Sequence, residues 1–221
     1  MFGGYFFHFD PVWRALPEIG AATWVAVQVA AVSMTLALLI GIVAALAHHS
    51  GSKTVRGCVV AYVEAMRNSP SLVKMYFIYF GLPSLGLFPS PFWSGVCALA
   101  LHNGGYMTEI IRGGLASVND TQVQAARSLG MSWWRTHRTI VLPQALRNAL
   151  PALVNVWVEM IKDTSLTSAL SVRELYYEMT ALNSATLRTF EILIVFSAIY
   201  LTMTTLFSFS MKVVEGRTKW R

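Results

Sequence analysis

Three long stretches of this sequence contain no Asp, Glu, Lys or Arg. They cover residues 19–52, 75–108 and 192–211. Each is long enough for the ~20 apolar residues with which a helix crosses a bilayer. Only 13% of the 221 residues are charged, about half the share found in an ordinary soluble domain. These features exclude a disordered chain, a disulfide-rich secreted scaffold and an ordinary cytosolic enzyme, and they predict an all-α protein that crosses a membrane several times.

The distribution of apolar residues predicts about five transmembrane helices, forming a single domain over residues 1–221. The expected spans are residues 21–47, 55–81, 92–114, 145–161 and 190–213. The second span is less regular because Glu64, Arg67 and Lys74 interrupt it. Pro70 lies in the same span and is expected to kink it, since proline has no backbone N–H and clashes with the preceding turn.

The basic residues predict on which side of the membrane each connection lies. Eleven Lys and Arg residues fall in the loop after span one, in the connection between spans three and four, and in the C-terminal tail. Four fall in the N-terminal segment and in the two remaining loops. Cytoplasmic loops are enriched in Lys and Arg. We therefore expect the N-terminus outside and the C-terminus in the cytoplasm, and the net charge of +6 needs no nucleic acid as a partner.

The connection between spans three and four carries the signals of short, capped helices. Thr121 and Gln124 have the spacing of a capping box, which predicts that a helix begins there. Gly130 suits the left-handed position that closes a helix. Ser132 can cap a second helix, and Pro143 suits the first turn of the next span. The sequence therefore predicts a helix, a glycine turn and another helix at the cytoplasmic face.

Two functional interpretations of this segment, residues 119–143, compete. A helix, a turn and a second helix with arginines also resemble a DNA-binding helix-turn-helix. Only a few residues join the segment to a membrane span at either end, so it could hardly enter a major groove. We therefore interpret it as a docking element for a cytoplasmic protein.

The spacing of small and apolar residues in this segment follows a known signature. Its positions in order are Gln124, Ala125, Ala126, Gly130, Ile140, Leu142 and Pro143. The pattern resembles the "EAA" signature of the permease subunits of bacterial ATP-binding-cassette importers. Gln124 is the one departure, since the family usually has Glu there, and the change removes a charge close to the helix N-terminus.

Further motifs, in order along the chain, resemble the polar-amino-acid subfamily of these permeases. They lie at residues 64–73, 79–83, 106–114, 142–145 and 162–166. Asn68 and Ser69 replace a Gly-Thr pair of that subfamily, and an unusual His-Asn-Gly-Gly run at residues 102–105 precedes the third motif. Both departures lie near the substrate path that the resemblance implies.

The resemblance implies a fold, partners and a place in the cell. The chain would be one of two permease subunits, identical or homologous, that line a path through the lipid of the bacterial inner membrane. An extracytoplasmic binding protein would deliver a polar amino acid or a close analogue, and two ATPase subunits would bind ATP and Mg²⁺. The chain itself would hold no cofactor or metal and would not be an enzyme. The residues expected to couple it to the ATPase are Thr121, Gln124, Ala125, Ala126, Arg127, Gly130, Ile140, Leu142 and Pro143.

Polar residues within the expected spans, or next to the outer end of the fourth, are the candidates for the substrate path. A charge at the bilayer centre costs at least ~2.5–3.5 kcal/mol, so such a residue usually faces a cavity or a partner. The candidates are Glu64, Arg67, Asn68, Asn103, Glu159, Lys162 and Asp163. Glu64 and Arg67 either pair with each other or with another subunit, or contact the solute. Glu159 either contacts the solute, which as a zwitterion needs one group of each sign, or bonds to another subunit.

A second class of function remains open at this point. A small channel or secondary carrier that works without an ATPase would explain the charged spans. It would leave the capped cytoplasmic helix without a use. A membrane-embedded enzyme would need a nucleophile with its base, or a metal site, and the five histidines do not form one with their neighbours in the sequence.

Overall fold

A computed structural model describes residues 5–49 and 52–218. All the regular structure in these ranges is helical, which confirms the all-α prediction. The α-helices are α1 (Asp10–Arg14), α2 (Leu16–His48), α3 (Lys53–Arg67), α4 (Ser71–Tyr76), α5 (Pro91–Ala116), α6 (Asp120–Ser128), α7 (Trp133–Thr136), α8 (Leu142–Asp163), α9 (Leu175–Thr186) and α10 (Thr189–Thr218). Two π turns (Phe77–Gly81 and His137–Val141) and two 3₁₀ helices (Leu82–Leu85 and Thr164–Leu170) lie between them.

Two of the described helices are long and apolar enough to cross a membrane, judged by length and composition. They are α2, with a mean hydropathy of 2.5, and α10, with 2.0 over Thr189–Gly216. The predicted third and fourth spans fall on α5, of 26 residues, and α8, of 22 residues. Both contain polar side chains such as Asn103 and Glu159.

The predicted second span is interrupted at its proline. α3 ends at Arg67 and α4 begins at Ser71, with Pro70 in the non-helical residues between them. A proline disfavours helical dihedrals in the residue before it, so the chain leaves the helix rather than bending within it. The expected kink is therefore present in a stronger form, as a break.

Each π turn ends two residues before a proline. One precedes Pro83, and the other precedes Pro143. In the second, the N–H of Leu142 bonds to the carbonyl of His137, five residues back. π turns insert into helices as single wide turns. Pro143 thus lies in the first turn of α8, as predicted, but helical backbone already runs into that turn from α7.

The chain forms two compact units. The first consists of Met1–Ser33, Ser71–Leu99 and Met160–Leu206. The second consists of Met34–Pro70, Ala100–Glu159 and Phe207–Arg221. The first unit has an apolar cluster built by Val12, Ile19, Ala26, Leu175, Ile192 and Phe196. In the second, the helices approach one another over glycines.

In the first unit, the buried carboxylate of Glu191 holds the N-terminal segment against the start of α10. It accepts hydrogen bonds from the Tyr5 hydroxyl and from the backbone N–H of His8, the latter at 2.8 Å. Arg188 lies 3.7 Å from the same carboxylate and donates to the carbonyl of Phe6 at 3.3 Å. Two hydrogen-bond donors and one ion pair thus compensate the buried charge of Glu191, as a buried carboxylate requires.

A second buried carboxylate in this unit, Glu174, caps α9. It accepts from the N–H groups of Tyr176 and Tyr177 at 2.9 and 2.8 Å, and from the Tyr200 hydroxyl at 3.1 Å. Burial raises the pKa of the Glu174 carboxyl, although these three hydrogen bonds act in the opposite direction.

In the second unit, glycines allow helices to approach closely. A Cβ on Gly41 of α2 would lie 2.7 Å from the Cβ of Met107 on α5. A Cβ on Gly114 of α5 would lie 2.6 Å from the carbonyl oxygen of Ala145 on α8. Small residues at such crossings are typical of helices that pack within membranes.

Candidate functional site

The helix predicted at the cytoplasmic face is present as α6, but it begins earlier than expected. Asn119 is the N-cap, and its side-chain oxygen accepts from the N–H of Thr121 at 2.8 Å. The predicted capping box at Thr121 is therefore wrong, since Thr121 already lies in the first turn. Asparagine is among the strongest N-cap residues, and Asp120 follows it with a charge that favours a helix N-terminus.

The end of α6 agrees with the prediction. Gly130 has a φ of +81°, which only glycine adopts without strain. Its N–H bonds to the carbonyl of Arg127 at 3.0 Å, and the N–H of Met131 bonds to that of Ala126 at 3.1 Å. This pair of bonds is a Schellman motif. Ser132 then caps α7 by accepting from the N–H of Arg135 at 3.3 Å, which confirms that prediction also.

α6 has one face against its own chain and one face exposed. Ala126 is only 4% exposed, and Val123 packs against the apolar cluster of Val118, Val141 and Ala145. The exposed residues include four of the predicted coupling residues: Thr121, Gln124, Ala125 and Arg127. The short, well-capped helix thus presents a mixed polar and small-residue surface that its own chain does not cover.

Apolar side chains extend this exposed surface beyond α6. Leu129 is 85% exposed and Trp134 is 73% exposed. The ring of Trp133 stacks on that of His137, with the centroids 3.8 Å apart. An exposed apolar patch beside polar residues is typical of an interaction surface.

The last three predicted coupling residues, Ile140, Leu142 and Pro143, lie at the junction of the second π turn and α8. The side chain of Gln144 donates to the carbonyl of Ile140 at 2.9 Å and to the side-chain oxygen of Gln122 at 2.7 Å. Sequence reasoning gave Gln122 and Gln144 no role. Gln144 lies within the motif at residues 142–145, but nothing in the sequence shows which residue it contacts.

Among the predicted substrate-path residues on α3, Glu64 and Arg67 have different partners. Glu64 accepts a hydrogen bond from the amide of its neighbour Asn68. The guanidinium of Arg67 lies 5.4 Å from the centre of the Tyr106 ring, within the range of a cation–π contact. Glu64 is thus bound to the C-cap residue of its own helix, and Arg67 contacts a ring on α5.

The polar run on α5 is packed inside the second unit. His102 bonds to the carbonyl of Met66 at 2.8 Å, which makes it a packing residue. Asn103 is 4% exposed, so its place in a substrate path stays a prediction. Glu109 and Arg112 of α5 form an ion pair within the helix. Within the described residues, no group of three or more His, Cys, Asp or Glu side chains is placed to hold a metal.

α8 has a polar face that contains one predicted path residue, Glu159, and three residues that had no predicted role. Asn148, Pro151, Asn155 and Glu159 are exposed and follow one another at spacings of three and four, so they share one side of the helix. On the other side Ala149 and other small or apolar residues are buried. Asn155 was missed because a single amide in an apolar run is not distinctive.

The other predicted path residues on α8 stand apart from these. Lys162 is exposed and Asp163 is partly buried, and both belong to the first unit, whereas Glu159 closes a segment of the second. The structure therefore collects Glu64, Arg67, Asn68, Asn103 and Glu159 in one unit, and places Lys162 and Asp163 in the other.

The similarity to known proteins extends over nearly the whole chain. Residues 37–220 match the family described as "Binding-protein-dependent transport system inner membrane component". The glutamine transport system permease protein GlnP of Escherichia coli (strain K12) is 32% identical over 215 residues, which are 96% of this chain and 98% of that protein. The nopaline transport system permease protein NocM of Agrobacterium fabrum is 36% identical over 201 residues, which are 86% of this chain and 83% of that protein.

A solved structure gives the same result for the fold. The structure described as "an amino acid ABC transporter with histidines" matches with a TM-score of 0.89 and 33% sequence identity, covering 96% of this chain and all of the matched chain (100%). The motifs, the fold and these similarities agree. The chain therefore belongs to the family of binding-protein-dependent transport system inner membrane components, whose members are permease subunits of transporters and not themselves enzymes.

Proposed function

We propose that this chain is the permease subunit of an ATP-driven importer of a polar amino acid or a close analogue. The names of its relatives, which include permeases for glutamine and nopaline, support the solute class. The observation that carries the proposal is α6. It is capped at both ends and buries Ala126 against its own chain. It leaves exposed two signature residues, Gln124 and Ala125, and the adjacent Arg127.

In this proposal the chain crosses the bacterial inner membrane five times. The spans are α2, the interrupted α3–α4 segment, α5, α8 and α10. The excess of Lys and Arg puts α6 and the C-terminus in the cytoplasm and the N-terminus outside. Exposed apolar side chains such as Leu201, Leu206 and Phe209 on α10 suit a helix that faces lipid.

The exposed face of α6 docks on an ATPase subunit. Ala125 permits close approach because its side chain is small, and Arg127 supplies a charge for a carboxylate of the partner. Two ATPase subunits bind ATP and Mg²⁺, and their closure shifts the two permease chains between states open to opposite sides of the membrane. Such coupling requires that nucleotide and solute each favour one of the two states.

The polar face of α8 lines the path of the solute. Asn155 and Glu159 are exposed on a predicted membrane helix, as is Asn148, whose amide also donates to Ser117. Exposed polar groups on such a helix usually face a water-filled cavity or a partner. The carboxylate of Glu159 can bind the ammonium group of an amino acid, and the amides can bind its carboxylate. Lys162 and Asp163, in the last turn of α8, are expected at the outer end of this path.

Affinity purification of the tagged chain from gently solubilised membranes tests the proposal. We expect it to recover an ATP-binding-cassette ATPase. A second permease band, or its absence, distinguishes a heterodimer from a homodimer. Recovery of the chain alone, under conditions that keep other membrane complexes intact, would instead support a channel or a secondary carrier.

A further inference from the structure

The side chain of Gln144 connects three elements at the cytoplasmic end of α8. It lies in the first turn of α8 and donates to the carbonyl of Ile140 in the π turn at 2.9 Å. It also donates to the side-chain oxygen of Gln122 on α6 at 2.7 Å. Both bonds come from the same nitrogen, so both hydrogens of the amide group are used.

The direction of these bonds follows from chemistry. A backbone carbonyl such as that of Ile140 can only accept, so the group of Gln144 that faces it must be the NH₂. The partner atom on Gln122 must then be an oxygen. Gln144 therefore needs to be a donor, whereas any acceptor of the right length suffices at position 122.

A second polar contact lies one turn further along α8. The amide of Asn148 donates to the hydroxyl of Ser117 at 2.7 Å, and that hydroxyl donates to the carbonyl of Gly114 on α5 at 2.7 Å. Beside these bonds, Val123 of α6 packs on the apolar cluster of Val118, Val141 and Ala145. The base of α8 is thus joined by side chains both to α6 and to the end of α5.

We propose that Gln144 is a positioning residue that ties α6 to α8, so that a displacement of α6 by the ATPase is passed to the polar face of α8. The inference rests on the proposed function and adds to it the contact through which the two sites communicate. Asn148 strengthens the assignment because it belongs both to this junction and to the polar face that ends at Glu159.

The same substitution made at either end of the bond tests the proposal. Gln122→Glu keeps an acceptor for Gln144, so solute transported per ATP hydrolysed should stay close to that of the unmodified complex. Gln144→Glu removes the donor and brings a carboxylate oxygen towards the carbonyl of Ile140. We expect it to lower that ratio about fivefold or more, the lower end of typical coupling between two sites. ATPase subunits should co-purify with both variants, because neither change touches Ala125 or Arg127.

The outcomes separate this inference from the proposed function. Equal ratios of solute transported to ATP hydrolysed for Gln122→Glu and Gln144→Glu would overturn the inference. Loss of ATPase co-purification in Gln144→Glu would also overturn it, because Gln144 would then act in docking. Gln122→Leu removes the acceptor and should lower the ratio like Gln144→Glu; a normal ratio in that variant also contradicts the inference. An unmodified chain that transports without any ATPase would overturn the proposed function as well.

Discussion

Ala125 and Ala126 are neighbours in the sequence, but only Ala126 is buried by its own chain, with 4% of its surface exposed. Ala125 lies on the exposed side of α6. The two alanines of one signature thus have different environments. Ala126 packs α6 against the rest of the chain, and Ala125 is available to a partner.

Aspartate substitutions at the two positions should therefore fail in different ways. Ala125→Asp should leave thermal stability in detergent within about 0.5 kcal/mol, as is usual for surface changes, while abolishing co-purification of the ATPase. Ala126→Asp buries a charge without a partner, which is strongly destabilising, and should lower the unfolding temperature. Identical behaviour of the two variants would contradict the assignment of the two faces.

Two adjacent glycines offer a test of the packing between α5 and α8. A Cβ at Gly114 would lie 2.6 Å from the carbonyl oxygen of Ala145, whereas a Cβ at Gly113 would have no neighbour within 4 Å. Gly114→Ala should destabilise the chain by about 1–3 kcal/mol, the usual cost of overpacking. Gly113→Ala should be neutral or stabilising, because alanine favours a helix interior by about 0.5–1 kcal/mol over glycine. Thermal unfolding of both variants in the same detergent compares them directly.

The buried Glu174 predicts a pH dependence of stability. Burial raises the pKa of its carboxyl from the ordinary 4.5, so the folded chain keeps this proton to higher pH than the unfolded chain does. Its contribution to stability is therefore complete below the unfolded pKa and is lost as the pH rises through the folded pKa. Glu174→Gln removes this titration. The free energy of unfolding of the wild type, minus that of the variant, should therefore decrease as the pH rises from about 4.5. A difference that is constant or grows with pH would contradict the prediction.

Cysteine labelling tests the orientation. Both native cysteines, Cys58 and Cys97, are exposed and must first be replaced by serine. In that background, Leu87→Cys, in the loop expected outside, should react with a membrane-impermeant maleimide in intact spheroplasts. Ser128→Cys, on the exposed side of α6, should react only after the membrane is permeabilised. The reverse pattern would invert the proposed topology.

The sequence predicts those features whose cause is local. Gly130 and Ser132 behave as expected because a left-handed turn and a helix cap depend on the residue itself and its immediate neighbours. The start of α6 was misplaced because Asn119 and Thr121 are both good N-cap residues, and pattern alone does not decide between them. The break at Pro70 was expected as a kink for the same local reason.

Features that depend on residues far apart in the sequence were not predicted. Residues 122 and 144 meet only because α6 folds back on the base of α8, and the pattern contains no sign of that contact. The contacts of Glu64 with Asn68 and of Arg67 with Tyr106 were not foreseen, because spacing on a helix permits a pair but does not exclude an amide nearby or an aromatic ring on another helix. Asn155 became a candidate only when the exposed side of α8 was known.

The coupling of solute uptake to ATP hydrolysis through α6 can be measured in proteoliposomes that contain the complex. The binding protein and a radiolabelled amino acid are placed outside, and ATP is either present or absent inside. We expect accumulation only with ATP, and none when a permease with Ala125→Asp is reconstituted together with the same ATPase. Accumulation that continues without ATP, or that survives this substitution at the wild-type rate, would contradict coupling through α6.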